Sequence, residues 1–210
     1  VLLRLFGGDG WKDLPLKPNF RRNARWYLFA IVVYPVVIGI TLFVGKLFGW
    51  VDVSKFSIAA YFPVFIAAFL PQCLKNIFEE SVWRGYLTVK VEQLTQNEWL
   101  VYLVVALVWQ VWHLPYYLIL LDDAYLASFF PFGNVLFAVI GVWTIMYTEI
   151  FFLSRSLLLV VLMHAMEDAL NPLISDGFAV VSPDKALLVS PSFGLIPLLL
   201  YLVIGLWLRR

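Results

Sequence analysis

Charge is the scarcest thing in this chain. Of its 210 residues only 14% are Asp, Glu, Lys or Arg, while 62% are apolar; a soluble domain carries about a quarter charged residues. That balance excludes an ordinary water-soluble globular fold. Basic and acidic side chains nearly cancel, leaving a net charge of +1, so nothing in the charge points to a nucleic-acid partner. A single cysteine, Cys73, rules out an intramolecular disulfide framework and reads as a small buried apolar residue. Nothing near the N-terminus has the short apolar core and small-residue cleavage site of a signal peptide, and the chain opens on Val1 rather than Met. No internal repeat or low-complexity linker is visible, so a single domain over residues 1–210 is expected. Only two histidines occur, His113 and His164, and both lie within apolar sequence.

What is plentiful is apolar sequence in long runs. Residues 26–48, 56–77, 99–121, 131–153, 156–174 and 191–208 each approach the roughly 20 apolar residues that cross a bilayer. Phe, Tyr and Trp make up 18% of the chain, which suits anchoring at two lipid–water interfaces. The expected fold class is all-α: a polytopic transmembrane bundle of about six spans, plus an amphipathic or re-entrant helix that carries Glu79 and Glu80 and runs to about Thr95, either a tilted continuation of the second span or a separate element lying against the bundle. Residues 1–25 hold Arg4, Lys12, Lys17, Arg21, Arg22 and Arg25 and read as a basic interfacial arm. Lys and Arg mark the cytoplasmic side of a membrane protein. On that rule the arm, both termini, Lys75, Lys90, Arg155 and Arg209-Arg210 are cytoplasmic, and Asp52, Asp122, Asp123, Asp176 and Asp184 face the other side. The expected location is a bacterial or archaeal cytoplasmic membrane, with lipid as the constant partner; no oligomeric state is legible.

Three polar clusters interrupt the apolar sequence. Ionisable groups at membrane depth are costly, so they face a cavity, pair with one another or do chemistry. In Glu79-Glu80-Ser81-Val82-Trp83-Arg84 the two glutamates point about 100° apart on a helix, and Arg84 follows Glu80 at the spacing of a helical ion pair. Glu80 is thus expected to pair with Arg84, leaving Glu79 as a desolvated carboxylate able to accept a proton. The plainer alternative is a solvated charge group at the end of the second span. His113 stands two residues before Pro115, at an expected helix break; it is either a site residue or a histidine bonded to a neighbouring backbone carbonyl. Trp109 and Trp112 read as packing or interface residues. His164 and Asp168 share one helix face, which Asn171 continues. Such a stripe marks an inward-facing polar cavity or a structural hydrogen-bond network between helices. Glu167 lies one residue off the stripe and is placed near the interface, and Glu149 is either a cavity residue or an interfacial charge.

In this order, the clusters resemble the CPBP family of CAAX proteases and bacteriocin-processing enzymes, also called Abi. The family pattern EExxxR is met by Glu79, Glu80 and Arg84, with Gly85 following. Its FxxxH is met by Trp109 and His113, with Trp in place of Phe, and its HxxxN or HxxxD by His164 and Asp168 in the Asp form. The run Phe152-Leu153-Ser154-Arg155-Ser156-Leu157 also looks like the family, and the resemblance covers about residues 11–174.

The resemblance implies an intramembrane endopeptidase that hydrolyses a peptide bond of a membrane-associated or lipidated protein. It implies that Glu79 acts as general base on a water, that His113 helps hold that water, that His164 and Asp168 stabilise the oxyanion, and that Glu80 and Arg84 support the geometry. Amide hydrolysis does need an activated water and donors aimed at the developing oxyanion. The Asp form is a departure with a consequence. An ionised Asp168 repels an oxyanion to which Asn would donate, unless it is protonated, orients His164 or helps bind a metal. A divalent metal such as zinc would take Glu79, His113 and His164 as ligands, but the HExxH signature is absent, and a metal-free glutamate mechanism is the expected one. Alternatives are a metal-dependent version of the same protease, a non-catalytic bacteriocin-immunity or scaffold protein, and a proton-coupled transporter relaying through Glu79, His113 and His164, which the lack of an inverted repeat disfavours. Catalysis requires Glu79, His113 and His164 to converge in one cavity, although a six-span drawing puts the glutamates near one membrane face and His113 toward the other.

Overall fold

In the computed structural model of the chain, residues 15–115, 119 and 133–210 are described, with side chains from 138 onward in the last stretch. Arg4 and Lys12 of the basic arm, the Asp122-Asp123 loop and parts of the third and fourth expected spans lie outside the described residues. Helix α1, Phe20–Leu47, begins earlier than expected, so Arg21, Arg22 and Arg25 belong to it rather than to a separate arm. It continues through Pro35. Beyond a turn in which Gly49 takes φ +70°, a left-handed conformation natural to glycine, the two-residue strand β1 (Val51–Asp52) pairs antiparallel with β2 (Val180–Val181). This small ladder was not expected, because two residues are too few to show the alternation that reveals a strand.

Of the two readings of the segment after the second apolar run, the structure takes the continuous one. Helix α2, Ile58–Val82, passes through Pro63 and Pro71 and continues through a π-helical stretch, Trp83–Thr88, into α3, Val89–Leu94. One helix from Ile58 to Leu94 thus makes the glutamate segment a continuation of the second span, not a separate or re-entrant element. In an apolar surround no water satisfies freed backbone groups, so a helix persists through prolines that would break it in solution. At 1.5 Å per residue this helix is about 55 Å long, against a hydrocarbon core of about 30 Å.

The remaining elements are α4 (Glu98–Pro115), α5 (Gly133–Ser154), α6 (Leu157–Ala169), the short α7 (Pro172–Ser175), a 3₁₀ turn (Pro183–Lys185), α8 (Ala186–Val189) and α9 (Leu195–Leu208). Among the described residues, four helices, Phe20–Leu47, Ile58–Leu94, Glu98–Pro115 and Leu157–Ser175, are long and apolar enough to cross a membrane; Ala138–Ser154 and Leu195–Leu208 are apolar but shorter. Helix α6 is the hub, with Leu157, Leu159, Val160, Met163, Ala165 and Ala169 fully buried, and α2 and α1 pack against it. Helix α9 lies on α5, where a Cβ on Gly205 would come within 3.2 Å of Ile145; small residues permit such close approach between membrane helices. Outward, α2 presents Phe62, Ile66, Leu70, Leu74 and Ile77, and α1 presents Leu28, Val36, Ile40, Phe43 and Leu47. Apolar faces of that extent do not stand in water.

Contacts gather the connections into two opposite ends. At one, the Leu157 amide donates to the Pro15 carbonyl (2.9 Å), the buried Asn23 amide to the Ser154 carbonyl (3.0 Å), Arg155 to Glu92 through two bonds (2.9 and 2.7 Å) and Arg209 to Glu98 (3.1 Å). At the other, β1 meets β2 and the Ser182 amide donates to the Trp50 carbonyl (2.9 Å). There the Ser54 N–H, 2.8 Å from Asp52, holds that exposed carboxyl below its usual range.

Candidate active site

The continuous second helix removes the depth conflict between the glutamates and His113. Measured from the Thr95–Asn97 turn, Glu80 and His113 lie at nearly the same height, roughly 21 to 23 Å along their respective helices at about 1.5 Å per residue. Helix α6 starts beside the same end, where Arg155 grips Glu92, and carries His164 to meet them.

Behind the site lies a fully buried ion pair. Glu80 and Arg84 have no exposed surface, and Arg84 Nη1 donates to both Glu80 oxygens (3.1 and 3.2 Å). The guanidinium is clasped between aromatic faces, its carbon 4.5 Å from the centre of Trp109 and 4.7 Å from that of Tyr147, where cation–π attraction strengthens because water is excluded. Tyr147 is steadied in turn by the Tyr34 hydroxyl (3.0 Å). Glu80 also accepts from His164 Nδ1 (2.7 Å). The pairing of Glu80 with Arg84 is as the spacing predicted; its link to His164 was not visible in sequence.

In front lies a cavity of about 110 Å³ lined by Lys75, Glu79, Trp109, His113, Ile140, Trp143, His164, Glu167 and Asp168, room for about three waters. Glu79, His113, His164 and Asp168 are brought together there, while Glu80 and Arg84 stand behind. His113 Nδ1 lies 2.8 Å from the Trp109 carbonyl, which can only accept, so Nδ1 carries the proton. His164 Nδ1 donates to Glu80. Both rings thus commit Nδ1 to donation. Glu79 is tied to Lys75 (3.3 Å), and Lys75 also reaches Asp168 (2.9 Å). The buried Asn76 amide donates to the same Asp168 oxygen (2.8 Å).

Several expectations change. Glu167 lines the cavity rather than pairing near the interface. Asn171 instead borders a smaller neighbouring cavity with Glu167, Tyr34 and Tyr201. Glu149 is buried between α4 and α5, accepting from the Tyr102 hydroxyl, and does not line the active cavity. Cys73 is only partly buried. Trp109 is a buried wall of the site, while Trp112 is largely exposed. Lys75 and Asn76 were missed as site residues. Their signal was available: Lys75 lies one helical turn before Glu79.

A scan of known families matches residues 57–170, more than half of the chain, to the type II CAAX prenyl endopeptidase Rce1-like family. The chain belongs to that family. The matched segment opens just before α2, closes just after α6 and contains every residue of the cavity. Searches of curated proteins and of solved structures return no match. At the family level the protein is a CAAX-type intramembrane peptide hydrolase, and its apolar helices make it an integral membrane protein.

Among the described residues, the side chains whose ligand atoms cluster tightly enough to share a metal ion are His164, Glu167 and Asp168, all within 4.8 Å. This differs from the set Glu79, His113 and His164 considered from sequence. As placed, the cluster does not fit a resident divalent ion. The Lys75 ammonium stands 2.9 Å from the Asp168 oxygen that a metal would use, Asn76 donates to that same oxygen, and a second cation there would be repelled at close range.

Proposed function

We propose that the chain is a metal-free glutamate endopeptidase that cuts a lipidated or membrane-anchored peptide within the bilayer. The reading rests on one observation: Glu79, His113, His164 and Asp168, from three helices, line one small polar cavity in an otherwise apolar bundle. Glu79 accepts a proton from a water that His113 helps to hold, and the resulting hydroxide attacks the scissile carbonyl carbon. The carbonyl oxygen becomes an oxyanion that accepts from the Nε2–H of His164 in its imidazolium form, whose Nδ1–H is held by Glu80. Glu79 then returns the proton to the departing amine as the C–N bond breaks. Preorganised donors in a water-poor site are worth more than in bulk solvent. Glu80 holds the His164 imidazolium and its ring orientation, and Arg84 holds Glu80 in place.

In the proposed topology six helices alternate across the membrane. Pro15, the α3–α4 turn, Arg155 and Arg209 share one side, which its Arg and Lys content assigns to the cytoplasm.

The deciding experiment uses purified protein in detergent with a prenylated, membrane-anchored peptide. Glu79→Gln keeps the shape but removes the base, and cleavage falls by roughly a hundredfold or more with the protein still folded. Chelators leave wild-type cleavage unchanged. Retained cleavage by Glu79→Gln defeats the general-base role, and inhibition by chelator that added zinc reverses defeats the metal-free assignment.

A further inference from the structure

The cavity gathers three carboxylates, Glu79, Glu167 and Asp168, with two histidines and one ammonium, that of Lys75. Lys75 lies one turn before Glu79 on α2 and reaches across to α6, bonding Glu79 at 3.3 Å and Asp168 at 2.9 Å. Asn76, with no exposed surface, adds a second donor to the same Asp168 oxygen. His164 Nε2 stands 3.8 Å from that oxygen. Position 168 is where the family pattern has either Asn or Asp. Asn presents a carbonyl to such donors and still has an amide N–H for the cavity, whereas a bare aspartate presents only negative charge to a developing oxyanion.

We propose that Lys75 is a positioning residue that makes aspartate workable at position 168. Its ammonium neutralises the Asp168 oxygen that lies 3.8 Å from His164 Nε2, so that the oxyanion's place beside His164 does not face an uncompensated negative charge. The inference rests on the endopeptidase reading and adds to it a residue outside the three motifs. Lys75 does not touch the reacting atoms; it acts through Asp168. The role calls for one cation for one aspartate, and it disappears when the aspartate does.

The test is a double-mutant cycle on the full chain in detergent with the lipidated peptide, using Lys75→Met, Lys75→Arg, Asp168→Asn and the Lys75→Met/Asp168→Asn pair. Lys75→Met lowers kcat roughly tenfold with KM changed by less than about twofold, and Lys75→Arg recovers most of that loss. In the Asp168→Asn background the same Lys75→Met change lowers kcat by no more than about twofold. Equal damage in both backgrounds, or no damage in either, overturns the proposal. If Lys75→Met alone does not fold, the comparison of the double variant with Asp168→Asn decides the matter, because the double variant leaves no aspartate to be balanced. Glu79→Gln is assayed alongside. Its inactivity without coupling in the cycle defeats only the Lys75 role, whereas retained cleavage by Glu79→Gln defeats the general-base reading and this proposal with it.

Discussion

A guanidinium with no exposed surface persists in this bundle because Arg84 meets a carboxylate and two aromatic faces at once, Glu80 on one side and Trp109 and Tyr147 across its plane. Such a pair is weak evidence of net stabilisation but expensive to break, since removing one partner strands a buried charge. Arg84→Met therefore destabilises the protein by about 3–5 kcal/mol, read as a lowered unfolding midpoint in detergent. Combining it with Glu80→Gln restores part of that loss, because no unbalanced charge then remains. Cleavage does not return in the double variant, since His164 loses its charged anchor. At this scale the Glu80–Arg84 bond was legible from a four-residue spacing. The Glu80–His164 bond spans a separation of 84 residues, and no local pattern reports a contact of that kind.

Among the elements, the Ile58–Leu94 helix positions the site most directly, and its continuity was one of two readings that the sequence left open. Its prolines suggested breaks that the apolar surround does not allow, and the π-helical stretch Trp83–Thr88 immediately after Glu79-Glu80 has no periodic signature in sequence. One-turn π segments recur at functional sites because they realign side chains within an otherwise regular helix. Here the Thr88 hydroxyl closes the wide turn by donating to the Trp83 carbonyl (2.8 Å). Thr88→Val, nearly the same shape, loses that bond and destabilises the fold by about 1 kcal/mol. Cleavage falls further than that loss alone implies if the turn aligns Arg84 with Glu80, a comparison made by assaying the variant well below its unfolding midpoint. Helix α6 was easier to anticipate, because a His and an Asp four residues apart on an apolar helix fall on one face wherever the helix is placed.

For the whole molecule, the two ends of the bundle carry different chemistry, and the topology makes a direct prediction. With Cys73 replaced by Ser, single cysteines introduced at Arg210 and at Asn97 react with a membrane-impermeant thiol reagent from the cytoplasmic side, whereas cysteines at Asp52 and Asp184 react only from the opposite side. Labelling of all four from one side would refute the alternating arrangement. The exposed Arg155–Glu92 bridge at the basic end contributes no more than about 1 kcal/mol, so Glu92→Gln leaves the unfolding midpoint nearly unchanged. By itself, the sequence determined the solvent, the helical class and which polar groups are candidates for a site. Composition sets which medium a chain can occupy, and in lipid every backbone amide must bond within its own segment. Only the tertiary structure decided that one long helix carries the glutamates to the height of His113, that Lys75 and Asn76 hold Asp168, and that Glu167 faces the cavity. Those are distances between side chains on different helices, fixed by packing around α6, and sequence spacing constrains only neighbours on the same helix.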